Sequence, residues 1–400
     1  MSRAEKTTFV RHILFSILDG IAFGVLVSLQ EVVAKKALYA SPTQITILFM
    51  SMPLAMFSSV FFIGYMQKHR DYKKFLIMAG VVRIVAGASI LIVQNAWQFI
   101  LAIWIFQLPQ GIIKPAQNFI LSKNYPHGRR GKRFGVAISA MNLSALLGSF
   151  AAGALLDFEQ QYFRYIFVAI GISGGLGSFI LGSIPTPLRK VKSLAKPFHN
   201  MITIFRNNPQ FWRFERNFFI YGFAFLLIGP IIPIFLVDIL NMTYTEVSIS
   251  RGVLSMLGLV LFAPFSGRIH DKYDPFKFSG RSFAILSLFP FLLLISSFTG
   301  KFVAYSAFIA RSLAMAGVAI IWNLGSIAFS DFDDEAIYQS IHLTMTGIRG
   351  FCAPLFGLLT LSLLGYNWTF SISTVIFLIA SFLMFKESNE LKESSGLDNG

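Results

Sequence analysis

The 400-residue chain is 55% hydrophobic and only 13% charged, with 44 phenylalanines, whereas a soluble globule usually approaches a quarter charged residues, so a water-soluble enzyme or scaffold is excluded. Its net charge of +15 would suit nucleic acid if gathered on one face, but it falls in alternate loops between apolar stretches, which excludes that partner. A single cysteine, Cys352, leaves no disulfide framework or cysteine metal cluster, and no metal site is expected.

Met1 to His12 is a short basic lead with no small-residue cleavage site after the apolar run that follows, so that run is predicted to be a retained helix. From there, twelve apolar stretches are each long enough to cross a bilayer, for which about 20 residues suffice. They are 12–34, 44–66, 75–94, 96–121, 134–157, 162–184, 214–240, 245–269, 278–298, 302–330, 337–364 and 366–385. Lipid offers no partner to a backbone N–H or C=O, so each must be a helix. An all-α membrane protein is therefore expected.

Lys and Arg fix the predicted orientation. Counted with the helix ends beside them, the N-terminus carries three, loop 2–3 four, loop 4–5 five, loop 6–7 seven, loop 8–9 four and the C-terminal tail two. The opposite loops hold only Lys35, Lys36, Arg164 and Lys301. The positive-inside rule then puts both termini and the long central loop in the cytoplasm, in a plasma (inner) membrane.

That central loop, 185–213, is polar and basic with interleaved Phe198, Ile202 and Phe205, as expected of a short helix lying on an anionic leaflet. It separates an N-terminal half, 1–184, from a C-terminal half, 214–385, with a cytoplasmic tail at 386–400. The halves echo one another. Gly64 corresponds to Gly267, Ser122 to Ser330, and Ile112-Ile113 to Ile320-Ile321. An even number of spans per half makes the repeats parallel, giving twelve transmembrane helices as two parallel six-helix repeats.

Between spans eight and nine the chain reads Gly267-Arg268-Ile269-His270-Asp271-Lys272-Tyr273-Asp274-Pro275-Phe276-Lys277. This resembles the loop signature of the major facilitator superfamily: glycine, three residues, aspartate, a base, a turn and another base. The first-half counterpart keeps Gly64 and the bases Arg70, Lys73 and Lys74 but has Lys68 where the aspartate belongs. Gly128 to Gly135 resembles the family's basic entry to span five. Gln110-Gly111 matches a span-four motif, with Gln107 where proton-coupled exporters commonly carry arginine.

The resemblance implies a central cavity lined by spans one, four, seven and ten, with two, five, eight and eleven contributing. Five cations lie within spans: Arg83, Lys114, Arg251, Arg311 and Arg349; the clear acids are Asp19, Glu31 and Asp238. Intramembrane charge is expensive and marks function by default. At about 1.5 Å per residue, Arg311 lies about 14 Å and Arg349 about 18 Å into their spans, near the midplane.

Substrate-binding candidates are accordingly Arg311, Arg349, Lys114, Trp322, Asn323, Gln107 and Gln110; Arg83, on a span the family places outside the cavity, is assigned to structure. Asp19 and His342 are the candidate proton carriers. Candidate gating residues are Gly267, Asp271 and Lys272 of the signature loop, and Arg129 and Arg130 facing the acidic run Asp333, Asp334 and Glu335 of the pseudosymmetric loop. No phosphate loop, nucleophile elbow or His-Glu-x-x-His occurs, so neither enzymatic chemistry nor a cofactor is expected.

These features predict a monomeric secondary active transporter that moves a small organic, anionic solute by alternating access, coupled to protons or another ion. Two alternatives stand beside it: a proton-coupled exporter of lipophilic compounds, and a non-transporting receptor or lipid-handling protein on the same fold.

Overall fold

The computed structural model describes residues 3–57, 72–125, 127–185, 197–270, 272–330 and 335–394. In chain order the helices are α1 (Arg3–Ala37), α2 (Pro42–Phe49), α3 (Tyr72–Ser89), α4 (Ala96–Gln107), α5 (Gln110–Asn124), α6 (His127–Phe158) and α7 (Phe163–Gly182). They continue as α8 (Pro197–Asn207), α9 (Pro209–Ile228), α10 (Ile231–Asp238), α11 (Tyr244–Val247), α12 (Ser255–His270), α13 (Pro275–Thr299), α14 (Lys301–Leu324) and α15 (Glu335–Ser394). Among the described residues every regular element is helical.

Nine described stretches are long and apolar enough to cross a membrane. One of them, Ile341–Leu391, holds two spans, because α15 breaks at Gly365 with φ 80°, a left-handed conformation that glycine adopts without strain. Pro42–Phe57 supplies the start of the second span, whose continuation lies outside the described residues. The eighth span runs through α11, a π-helical segment at Ser248–Leu254, and α12. The layout is that of twelve helices in two repeats.

The chain forms two compact units. The first comprises Met1–Ser193 with Leu236–Met256. Here α1 packs on α6 and α7, and α3 packs on α7. Small residues set these crossings, since within lipid helices associate through close van der Waals approach and not through the hydrophobic effect. Gly20 and Gly24, one turn apart on α1, lie against the backbone of Met141 and Ala145, one turn apart on α6; a Cβ at either glycine would run into a carbonyl oxygen. Gly87 of α3 meets Gly171 of α7 in the same way.

Leu236–Met256 joins this unit through polar contacts. Thr243 and Glu246 form a capping box on α11, and Asp157 of α6 accepts from the N–H groups of Tyr244 at 2.7 Å and Thr245 at 2.8 Å. A carboxylate at a helix N-terminus satisfies donors that the helix leaves unpaired. Lys35 pairs with Asp238 at 2.9 Å, and Arg251, on the π segment, pairs with Glu31 at 2.9 Å.

The second unit comprises Leu194–Phe235 and Leu257–Gly400. It is built on α9 against α15 and α13 against α14 and α15. Its centre is aromatic: Phe214, Phe218 and Phe283 are fully buried, and Tyr221 stacks on Phe283 with centroids 4.2 Å apart. At one end Arg213 and Arg216 of α9 hold Glu387 of α15 at 2.9 Å each.

Gly24→Leu is expected to lower the melting temperature in detergent sharply and to broaden the monomer peak on gel filtration, because overpacking a tight contact costs about 1–3 kcal/mol or more. Gly135→Leu, at a position where a Cβ meets nothing within 4 Å, serves as the control and should change neither.

Candidate functional site

Among the described residues, and besides the Glu31–Arg251 pair, each unit holds a cluster of intramembrane charge. In the first, Asp19 of α1, Arg83 of α3 and Lys114 of α5 converge. Arg83 donates from Nη1 to Asp19 Oδ1 at 2.7 Å and to the Gly174 carbonyl at 3.2 Å, and its guanidinium lies 5.3 Å from the Phe106 ring centroid. Both members of the pair are sealed off, with side chains 1% and 2% exposed. Lys114 Nζ stands 4.0 Å from Asp19 Oδ2, and its side chain is 40% exposed. Among the described residues Asp19 Oδ2 finds no hydrogen-bond donor, and neither does the buried Gln110 Oε1. Two cations thus share one carboxylate, with the accessible cation only loosely held. Pro115 within α5 removes a backbone donor beside Lys114.

In the second unit, α9 and α15 bring together Glu215, His342 and Arg349, all at most 2% exposed. His342 Nδ1 lies 2.9 and 3.1 Å from the two Glu215 oxygens. Arg349, two turns further along the same face of α15, donates from Nη1 to the Phe218 carbonyl at 2.7 Å and from Nη2 to Thr346 Oγ1 at 3.0 Å. Among the described residues its Nε has no acceptor, and no carboxylate lies within ion-pair distance of it. The rings of Phe218, Tyr221 and Trp322 surround it at 5.2, 5.8 and 5.5 Å. A Cβ at Gly222 would run into the guanidinium, so the missing side chain there is what lets Arg349 approach α9.

The Arg311 guanidinium lies over Phe225 at 5.4 Å and Phe289 at 5.7 Å. Gln107 is buried at the end of α4, and Trp322 is half-buried on α14. The side chain of Asn323 lies outside the described residues, as do Asp271, Asp333, Asp334 and the side chains of Arg129, Arg130 and Glu335. Gly267 falls within α12, and Lys272 is exposed in the turn after it. In the basic segment, Arg133 pairs with Glu5 of α1. Nearby, outside the spans, burial pushes the Tyr125 phenol up to about 12, with Arg133 acting in the opposite sense, so it stands as a neutral hydroxyl against His12 Nδ1 at 3.1 Å.

Arg83, assigned to structure from its span, is the buried partner of Asp19. Glu215 lies at the edge of its predicted span and is absent from the sequence-derived candidates; the signal available is that Glu215 and His342 both lie near the ends of spans seven and eleven that enter from the same side.

A family model described as Major Facilitator Superfamily matches residues 13–337. Over 67 residues the chain is 37% identical to melibiose permease of Enterobacter cloacae subsp. cloacae, a match that spans 17% of this chain and only 16% of that permease. Among solved structures, a POT family transporter in complex with a thioalcohol-conjugated peptide superposes with a TM-score of 0.79 at 13% identity, covering 96% of each chain. A variant of the nucleoside transporter NupG gives 0.78 at 12% identity, over 95% of this chain and 99% of that one. At such identities the likeness shows the fold alone.

Removing one partner of a buried ion pair typically costs about 3–5 kcal/mol, because the other charge is stranded. Asp19→Asn should therefore destabilise the protein strongly in thermal unfolding, and Asp19→Asn with Arg83→Met should recover most of the loss. Equal melting temperatures for the single and double variants would contradict the pairing.

Proposed function

Since the chain belongs to the Major Facilitator Superfamily and is an integral, multi-pass membrane transporter, we propose that it carries a small organic anion by alternating access, coupled to protons. An imbalance of intramembrane charge supports this. Among the described residues, Arg83 and Lys114 share Asp19, and the direct contacts of Arg349 are a carbonyl, a hydroxyl and aromatic faces, with no carboxylate at ion-pair distance. Buried cations without carboxylates are costly, and a carboxylate or phosphate solute offsets that cost through charge-assisted hydrogen bonds to Arg349 or Lys114. Lys114 is the more accessible of the two, and an arriving anion takes it without separating Asp19 from Arg83. Arg311 contributes its charge from α14. Asp19 and His342 are the residues proposed for proton coupling, and the loops around Lys272 and Arg129 for gating.

A neutral sugar is the second reading, favoured by the short match to a permease named for melibiose. The protein works as a monomer with both termini in the cytoplasm. Single cysteines introduced as Ser2→Cys in a Cys352→Ala background should react with an impermeant maleimide only from the cytoplasmic side.

Purified protein in proteoliposomes, screened for uptake and counterflow of organic acids, sugars and cations with and without an inward proton gradient, decides between the readings. The anion reading expects accumulation of an organic acid that is lost in Arg349→Gln and at least tenfold weaker in Lys114→Gln. Gly222→Ala, which changes no charge but displaces the guanidinium, should weaken it as well. Accumulation of a neutral sugar that survives Arg349→Gln and Lys114→Gln would refute the anion reading.

A further inference from the structure

The Glu215–His342 pair has the anatomy of a proton-binding site, and we propose that its proton enters at His342 Nε2 and thereby frees Arg349 to hold an anion; this rests on the reading of the chain as a proton-coupled transporter. A carboxylate accepts, so the short contacts from Nδ1 to both Glu215 oxygens assign the Nδ1–H tautomer to the neutral imidazole. The lone pair then resides on Nε2, which is buried and has no hydrogen-bond partner among the described residues. A proton arriving from water bonds to that lone pair with no other bond broken. The pair passes from one net negative charge to an internally neutral imidazolium–carboxylate.

The consequence falls on Arg349. His342, Thr346 and Arg349 share one face of α15, and they are linked: Arg349 Nη2 donates to Thr346 Oγ1, whose hydroxyl donates to the His342 carbonyl at 2.9 Å. The Phe218 and Trp322 rings each touch both residues, with centroids 4.8 and 4.7 Å from the imidazole. While the pair is negative, its field compensates the guanidinium through a medium with little screening. Once the pair is neutral, Arg349 has an uncompensated charge and a free Nε–H, and one organic carboxylate restores neutrality. Proton and anion thus favour each other's binding, as linkage requires.

Among the described residues, the ionisable groups on the helices of this unit have contacts of their own. Arg213 and Arg216, beside Glu215 on α9, bind Glu387 and Glu390. Lys277 and Arg281 of α13 lie over Tyr273, and Arg311 of α14 lies over Phe225 and Phe289. Tyr338, a turn before His342, packs on Phe211 and takes the Asn208 amide. Tyr221, on α9, stacks on Phe283 beside Arg349.

The test uses the full-length protein in detergent or nanodiscs, labelled with 15N-histidine, and the proton itself as probe. Signals are followed from pH 9 to pH 4.5 and His342 is assigned by its loss in His342→Gln. At high pH its Nε2 should give the signal of an unprotonated nitrogen and its Nδ1 that of a proton bonded to a carboxylate; acidification should convert Nε2 to the protonated form. Glu215→Gln should abolish the carboxylate-bonded Nδ1 signature. Should either variant fail to fold, proton counting on the wild type remains: adding an anion that the protein binds should take up about one proton per anion from weakly buffered solution. An Nε2 signal for His342 that does not change over the whole range, or anion binding without proton uptake, overturns the inference. Because the titration needs no solute, a protein with a responsive His342 that moves no anion refutes the anion reading alone. An inert His342 in a protein that accumulates anions on a proton gradient refutes the proton site alone.

Discussion

Burying an ion without a partner costs several kcal/mol, and this constraint organises both halves of the molecule. It forces Asp19 and Arg83 together across α1 and α3, and it makes the Gly174 carbonyl and the Phe106 face part of the same arrangement. It also explains the aromatic box around Arg349, where ring faces and a backbone carbonyl do what a carboxylate does elsewhere. The two solutions differ in what they leave open. A paired guanidinium is locked, whereas one bonded directly to neutral groups alone keeps an N–H for an arriving anion.

The glycines serve the same end by another route. Gly20, Gly24, Gly87 and Gly171 bring helix backbones into contact within the first unit, and that closeness lets short and long side chains from different helices meet at one point. Gly222 does the reverse: it leaves a gap on α9 that a guanidinium fills. Fold and site are thus set by the same residue type, through what it omits.

Much of the fold was legible in the sequence because its signals are local. Twenty-residue apolar runs and the signature at Gly267–Lys277 each lie within one segment. The α15 break at Gly365 falls where the sequence separates spans eleven and twelve. The candidate site is legible only by depth: Asp19, Lys114, His342 and Arg349 stand out as polar groups inside apolar runs, but nothing in the sequence says which of them touch. Arg83 and Asp19 are 64 residues apart, and Glu215 and His342 are 127 apart. Their pairing depends on helix rotation, which the small-residue contacts and aromatic packing determine and which a nearly uniform apolar periphery does not encode.

If one proton at the Glu215–His342 pair accompanies one negative charge at Arg349, the transport of a monocarboxylate moves no net charge. Uptake of such an acid into proteoliposomes, driven separately by a proton gradient and by a valinomycin-induced potassium diffusion potential, measures this directly. Accumulation on the proton gradient at zero potential, and none on the potential at equal pH, is the predicted result. Accumulation that follows the potential in the absence of a proton gradient would contradict the coupling of anion to proton in this protein.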